Sequence, residues 1–320
     1  VACVIFTSGS TGTPKGVVLT HEAVAASAMA TSRFLGITPG DRWLACLPLS
    51  HVGGLSVVTR AIITGTPLVV HDGFDPARVE AAAAGGATAV SLVATALRRI
   101  DPALFRVIVL GGAHPPADRP VNAHTTYGLT ETGSGVVYDG RPLDGVEVQV
   151  TGSGELLVRG TNVMRGYWQD EAATRAAIDD AGFLHTGDLA EIVDGRIRIT
   201  GRAKDILVLT SGEKISPSEV ESAILRDPAF EQVMLVGDGR PYPVLLAVSA
   251  VKDPKELLRR ANARLAGLSR WAKVREIVRA GETWDVGNGL VTPTQKLKRP
   301  QLLERYRAAI DAAYRRGPHA

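Results

Sequence analysis

Short apolar runs, separated by alanine- and glycine-rich stretches, dominate the chain up to about Gly145. Val4-Ile5-Phe6 predicts a short buried strand at the start, with no evident neighbour to pair with. Trp43-Leu44-Ala45-Cys46-Leu47 and Pro67-Leu68-Val69-Val70 predict two more. Ala89-Val90-Ser91-Leu92-Val93 predicts a strand that leads into a helix over residues 94–100, and Arg106-Val107-Ile108-Val109-Leu110 a strand that ends on Gly111-Gly112-Ala113. Apolar runs this short, alternating with helix-like segments, specify a layered α/β sandwich, in which ligands gather just past the strand ends.

The texture changes at about Val146. Val146-Glu147-Val148-Gln149-Val150, Glu155-Leu156-Leu157-Val158, and Ile192 with Ile197 and Ile199 alternate in the manner of antiparallel strands and predict a small β-subdomain. Gly201-Arg202-Ala203-Lys204-Asp205 falls between two predicted strands, with a domain boundary expected at Arg202 to Lys204. Ser216-Pro217-Ser218-Glu219 reads as a helix start with proline in first position. Residues 230–251 read as strands and residues 255–266 as a helix, a smaller α+β domain. The expected division is residues 1–202 and 203–320.

Composition narrows the function classes. The chain has 320 residues, 45% of them hydrophobic, and a net charge of +3, which gives no case for a nucleic acid or an anionic membrane surface. The longest apolar candidate, residues 55–70, is interrupted by Arg60 and Gly65 and is no bilayer span. Two cysteines, Cys3 and Cys46, have no metal-site spacing and suit reduced thiols in the cytoplasm. No signal peptide is visible. The opening Val1, six residues before a candidate phosphate loop, reads as a fragment or a non-Met start.

That loop is Thr7-Ser8-Gly9-Ser10-Thr11-Gly12-Thr13-Pro14-Lys15. Glycines let backbone N–H groups approach an anion, hydroxyls donate to phosphate oxygens, and Lys15 adds positive charge. The spacing is not the G-x-x-x-x-G-K-[ST] pattern, and a plain surface loop is the alternative reading. Four other clusters suit a nucleotide. Thr125-Thr126-Tyr127-Gly128-Leu129-Thr130-Glu131 places an aromatic ring, a hydroxyl and a carboxylate in one short turn, where Tyr127 can stack on a base, Thr130 bond a phosphate and Glu131 hold Mg²⁺. Gly111, Gly112 and Ala113 can let backbone approach that base. His185-Thr186-Gly187-Asp188 presents a carboxylate suited to two ribose hydroxyls. Lys296 stands in Pro293-Thr294-Gln295-Lys296, with Lys298 and Arg299 after it. Taken singly, each has a plainer reading: a structural turn, a capping aspartate, a solvated basic face. Trp168 and Trp284 read as packing residues, and His51 and His185 as satisfied ones.

Jointly, these clusters resemble the adenylate-forming acyl-CoA synthetase family, which includes adenylation domains and luciferases. Thr7 to Lys15, Tyr127 to Glu131, Thr186-Gly187-Asp188, Gly201 to Asp205 and Lys296 occur in the family's order, and the resemblance covers the chain from Val4 to about Tyr306. It implies an AMP-forming acid–thiol ligase that uses ATP, Mg²⁺ and coenzyme A. A carboxylic acid is joined to AMP, and the acyl group is then passed to the thiol. The loop from Thr7 to Lys15 would hold the β- and γ-phosphates; Gly111 to Ala113, Tyr127 and Gly128 would frame the adenine. Thr130 and Glu131 would serve phosphate and Mg²⁺, and Asp188 and Arg202 the ribose. A mobile C-terminal domain would turn about a hinge at Lys204, bring Lys296 to the first step only, and line the coenzyme A path with Ser211, Gly212 and Lys214. His51, Gly53 and Gly133 would border the acyl pocket.

Two subfamilies compete for the acid. Residues 47–55 and 138–146 resemble compact o-succinylbenzoate–CoA ligases of menaquinone synthesis, whereas residues 237–242 and 288–299 resemble long-chain fatty acyl-CoA synthetases. Most family members carry a substantial region ahead of the phosphate loop that this chain lacks, which would leave the acyl pocket incomplete. The lysine also follows Gln295 where the wider family has glycine. A nucleotide-binding remnant, an enzyme of one half-reaction and a carrier-protein-loading adenylation domain are the competing functions, and a homodimer is left open.

Overall fold

The structure, a computed structural model, describes residues 1–7, 14–112, 119–292 and 296–317. The chain divides into two compact units, Val1–Ile199 and Thr200–Ala320.

The first unit opens with β1 (Cys3–Thr7) and β2 (Lys15–Leu19), which pair antiparallel with Val4 opposite Val18 and Thr7 opposite Lys15. The first strand therefore has a neighbour, contrary to expectation: the candidate phosphate loop is the connection of a hairpin, so its two ends hold each other. Helix α1 (His21–Phe34) follows. Thr20 caps it, accepting from the Ala23 N–H at 3.0 Å, with Glu22 in the first turn and Arg33 in the last complementing the helix dipole.

The alternating segment then builds β3 (Trp43–Ala45), α2 (Val52–Thr64), β4 (Leu68–Val70), α3 (Pro76–Ala84), β5 (Ala89–Leu92), α4 (Ala94–Leu97) and β6 (Val107–Leu110). After it come β7 (Ala123–Leu129), β8 (Ser134–Tyr138) and β9 (Arg141–Pro142). One sheet results, in the order β4-β3-β5-β6-β7-β8-β9. Its members from β4 to β7 run parallel, and β7-β8-β9 continue antiparallel. The central parallel strands β3, β5 and β6 are almost wholly apolar because they are covered on both faces: Leu44, Val90 and Ile108 join one core, Trp43, Ala89 and Val107 the other. Helix α4 is shorter than expected. The chain leaves it for a turn in which Asp101 accepts from the Ala103 N–H at 2.9 Å, just ahead of Pro102.

An ion pair between the buried Asp41 and the exposed Arg106 fastens the N-terminal ends of these strands. Asp41 is 3% exposed and accepts the Arg106 guanidinium at 2.6 and 2.7 Å as well as the Thr38 N–H at 2.8 Å. Burial opposes its ionisation, but Arg106 and these hydrogen bonds hold it far below the usual carboxylate range. Arg60 is no surface residue: it is 1% exposed, stacked 4.7 Å over Trp43.

The β-subdomain begins at Val146, as the alternation predicts. It comprises β10 (Val146–Val150), β11 (Glu155–Gly160), β13 (Leu184–Val193) and β14 (Arg196–Arg202) in that order. Between them, β12 (Gly166–Tyr167) returns to pair with β2, and α5 (Glu171–Ala177) follows it. Gly201 and Arg202 end β14 and Ala203–Asp205 form a 3₁₀ turn, so the segment expected between two strands is partly strand itself.

The second unit contains a hairpin of β15 (Leu207–Val208) and β16 (Lys214–Ile215), then α6 (Pro217–Ile224), β17 (Gln232–Val236), β18 (Val244–Val248), α7 (Pro254–Arg264) and β19 (Glu276–Arg279). It ends with α8 (Arg299–Arg305) and α9 (Arg307–Arg316). Side chains of β17 alternate between two cores, a direct consequence of the strand's two-residue period. Val233 and Leu235 face Ile224 and Leu257 of α6 and α7; Met234 and Val236 join Leu302 and Ile310 of α8 and α9. Among the described residues no helix is long and apolar enough to cross a membrane.

Candidate functional site

The parallel strands β5 and β6 end on Val93 and on Gly111-Gly112. The Gly111 N–H donates to the Leu92 carbonyl at 3.2 Å, and Gly112 takes φ +90°. A side chain at Gly111 would meet Thr126 at 3.3 Å, so this edge lies directly beside β7. Tyr127, Gly128 and Leu129 belong to β7, whereas Thr130 and Glu131 begin a 3₁₀ turn. The expected single turn is therefore a strand followed by a turn. Gly128 is obligatory because β7 and β8 shift register there: a Cβ would stand 2.0 Å from the Ser134 carbonyl oxygen.

Tyr127 and Asp188 meet. The phenol donates to Asp188 Oδ2 at 2.8 Å. Asp188 is 4% exposed, and its N–H donates to Thr186 Oγ1 at 3.1 Å. The Thr186 hydroxyl in turn donates to the Leu156 carbonyl at 2.6 Å, and Gly187 N–H donates to Glu155 at 3.0 Å. A backbone-anchored frame thus carries the carboxylate. His185 lies 3.2 Å from Glu155 and is satisfied there, as expected.

A second group forms around a residue that sequence reasoning missed. The Tyr167 hydroxyl donates to Glu131 Oε1 at 2.9 Å, while the Lys15 ammonium sits 4.9 Å from the centre of the same ring. Burial first, then the charge of Glu131, pushes the phenol well above its usual range, so it remains a donor at all ordinary pH values. Thr132, fully buried, accepts from the Leu129 N–H at 2.9 Å and lies 2.8 Å from the Ser134 carbonyl, to which it donates. That bonding fixes the turn bearing Thr130 and Glu131. Thr7 pairs with Lys15 across the hairpin. The only sequence signal for Tyr167 was its place in Gly166-Tyr167-Trp168. Trp168 itself is 50% exposed, not packed as expected, because β12 is a short edge strand. Trp284, at 1% exposure, is a core residue.

The acyl-pocket candidates sit around one apolar cluster. His51 caps α2 without a side-chain capping bond, and its neighbours Val52 and Leu55 pack on the cluster containing Leu19. Gly133 lies against the same Leu19. The close backbone contact is at the next residue: a Cβ at Gly54 would stand 2.4 Å from the Pro48 carbonyl, whereas Gly53 has open space.

The remaining candidates belong to the second unit. Arg202 ends β14, Lys204 is exposed in the 3₁₀ turn, Ser211 and Gly212 lie in the β15–β16 connection, with the Gly212 N–H donating to the Leu209 carbonyl at 2.8 Å, and Lys214 begins β16. Lys296 is exposed and pairs with Thr292: its N–H donates to Thr292 Oγ1 at 3.0 Å and its carbonyl accepts from the Thr292 N–H at 2.8 Å. Ser8, Gly9, Ser10, Thr11, Gly12 and Ala113 lie outside the described residues.

Glu131 suits Mg²⁺ by its donor chemistry: it offers a single carboxylate, hydrogen-bonded by Tyr167, as fits a metal held jointly with nucleotide phosphates rather than in an all-protein cage.

Comparisons with known proteins agree on the family. A family model described as AMP-binding enzyme matches residues 1–168, and one described as AMP-binding enzyme C-terminal domain matches residues 204–317. The 2-succinylbenzoate–CoA ligase of Bacillus cytotoxicus is 35% identical over 274 residues, 73% of this chain and 56% of the relative. The chain thus spans little more than half the length of the curated relatives it matches. The o-succinylbenzoate coenzyme A synthetase of Bacillus subtilis, solved with the acyl-adenylate intermediate OSB-AMP, superposes with a TM-score of 0.83 at 29% identity, covering 93% of this chain and 68% of that one. The same synthetase solved with ATP and magnesium ion gives 0.81 at 29% identity, covering 93% and 69%. The chain belongs to the AMP-binding enzyme family.

Proposed function

We propose that this protein is an AMP-forming acid–thiol ligase that activates a carboxylic acid with ATP and passes it to coenzyme A. The observation that carries the reading is the convergence of two groups in one unit: Tyr127 with Asp188, and Lys15 with Tyr167 and Glu131. Strand β7 and the turn after it connect them, with Tyr127 at one end and Glu131 at the other. A nucleotide has the same polarity, base and ribose at one end and phosphates at the other.

In the first step a carboxylate oxygen of the acid attacks the α-phosphorus, and the bond from that phosphorus to the bridging oxygen of the β-phosphate breaks. Pyrophosphate leaves and the acyl-adenylate remains. Two anions must meet, so the site must neutralise charge as it develops. Lys15 and the N–H groups of its loop would hold the β- and γ-phosphates, Thr130 would bond a phosphate oxygen, and Lys296 would bring a further positive charge. Bound Mg²⁺ supplies additional positive charge to the phosphates, and Glu131 would hold it. Gly111, Gly112 and Tyr127 would frame the base, with Asp188 and Arg202 at the ribose hydroxyls. In the second step the coenzyme A sulfur, having given up its proton, attacks the acyl carbon; the bond to AMP breaks and AMP leaves.

The domain reading belongs to the same proposal. Residues 203–320 would turn about Lys204 between the steps, withdrawing Lys296 and bringing Ser211, Gly212 and Lys214 to the pantetheine arm. The acid we favour is o-succinylbenzoate, supported by the relatives' names and the Bacillus subtilis complex with OSB-AMP. Menaquinone synthesis would be the setting, and the cytoplasm the compartment, in keeping with two unpaired cysteines. An ATP–pyrophosphate exchange screen over o-succinylbenzoate, other aryl acids and fatty acids of varied length tests this. Exchange that depends on o-succinylbenzoate is expected. Exchange with fatty acids only would replace the acid, and nucleotide binding without exchange for any acid would refute the ligase.

A further inference from the structure

A chain of contacts in the second unit, part-buried along most of its length, runs from its first residues to Lys296. The Thr200 carbonyl accepts from the hydroxyls of Ser216 and Ser218, at 2.5 and 3.2 Å, which ties the end of β14 to the start of α6. One and a half turns along α6, Glu221 is 8% exposed. Its two oxygens accept the two terminal nitrogens of Arg299 at 2.9 and 2.6 Å, and one of them also accepts the Leu235 N–H at 2.7 Å. Arg299 is the first residue of α8 and lies three positions after Lys296. Between them the chain is held by the Leu297–Val291 bridge and by the Lys298 N–H, which donates to the Leu290 carbonyl at 2.9 Å. Asp205, in the turn after β14, acts by its charge on both Glu221 and Arg299.

A buried ion pair contributes little net stability, because removing both charges from water offsets most of their attraction. What a forked guanidinium–carboxylate contact does supply is fixed direction. Here that direction is imposed just past the Lys296–Thr292 pairing. Lys296 ends a long flexible side chain, and a cation delivered to a phosphorus centre must be held to within a fraction of an ångström to be useful.

We propose that Arg299, gripped by Glu221, is a positioning residue for Lys296: it fastens the Lys296–Thr292 pairing to α6, so that the amine moves as a rigid part of the segment around Thr200 and Asp205. The inference rests on the adenylation reading above and adds to it how the lysine is aimed. Thr292, which bonds both the N–H and the carbonyl of Lys296, is the local partner in the same task.

Two variants test it in the full chain. Arg299→Lys keeps the charge and loses the fork; Thr292→Val keeps the shape and loses the acceptor for the Lys296 N–H. Each is expected to lower kcat for acyl-adenylate formation by about tenfold or more. KM for ATP, and the rate of thioester formation from supplied acyl-adenylate, should stay within about twofold, because neither depends on where Lys296 points. Hydrogen exchange gives a readout without activity: the Lys296 and Lys298 amides should exchange about tenfold faster in Arg299→Lys than in the parent. Equal loss in both half-reactions, or unaltered adenylation and exchange in both variants, would overturn the proposal. A parent chain inactive with every acid would refute the ligase reading instead, and the exchange comparison would still decide whether Arg299 holds the pairing.

Discussion

The Tyr127 phenol donates to Asp188 across 2.8 Å, joining the end of the parallel sheet to the β-subdomain over 61 residues of chain. Under the proposed function, a ring stacked on the base and a carboxylate on the ribose would need this proximity. The bond also fixes the phenol, so the ring presents a settled face. Tyr127→Phe is expected to raise KM for ATP only a few-fold, since the ring remains. Asp188→Ala should raise it by about a hundredfold, the loss of a charged hydrogen-bonding partner. The diagnostic readout is 2′-deoxy-ATP: the parent should discriminate against it, and Asp188→Ala should not. Retained discrimination would remove Asp188 from the ribose.

Glu131 and Tyr167 make a separable prediction about the metal. Glu131→Gln should raise the Mg²⁺ concentration needed for half-maximal pyrophosphate exchange by about tenfold. Tyr167→Phe should raise it less, because the phenol orients Glu131 without itself being a ligand. A Mg²⁺ titration of the exchange reaction for the three proteins measures this, and unchanged requirements in both variants would count against the assignment.

The glycines separate structural from functional demands. Gly128→Ala places a methyl where the Ser134 carbonyl oxygen stands and should cost about 3 kcal/mol or more, read as a large fall in Tm. Gly53→Ala meets nothing within 4 Å, lies inside α2, and should raise Tm slightly. If Gly53 borders the acyl pocket, the same variant raises KM for the acid; an unchanged KM would remove it from that pocket.

Asp139 gives the pH dependence. Burial works against its charge, but the His124 hydrogen bond at 2.8 Å and the Thr125 N–H at 3.0 Å lower its pKa to about 2. A folded value below the unfolded one means that stability is present above the ordinary carboxylate pKa and is lost as pH falls towards the folded value. The Tm advantage of the parent over Asp139→Asn should therefore be full at pH ~6 and shrink steadily from pH ~4 to pH ~2. A difference that stays constant over that window would contradict the account.

Much of this was legible in the residues themselves, for a physical reason. Strands buried on both faces must be apolar throughout, so β5 and β6 stood out, and the alternation from Val146 marked a sheet with one covered face. Tyr127 and Asp188 were both recognised, but not that they bond, because nothing local encodes a contact over 61 residues. Tyr167 carries no local signal for a related reason: its place depends on β12 pairing with β2, which brings it to Lys15. Arg60 shows the opposite limit. A charge in an apolar run reads as an interruption, yet its guanidinium stacks on Trp43 inside the core.

The central claim is that one nucleotide spans both groups, and a crystal structure of the chain with ATP and Mg²⁺ tests it most directly. The ribose is expected within hydrogen-bond distance of Asp188, the base against Tyr127, and the metal on Glu131 with phosphates reaching Lys15. A nucleotide bound elsewhere, or one touching Tyr127 and Asp188 while its phosphates point away from Lys15 and Glu131, would contradict it.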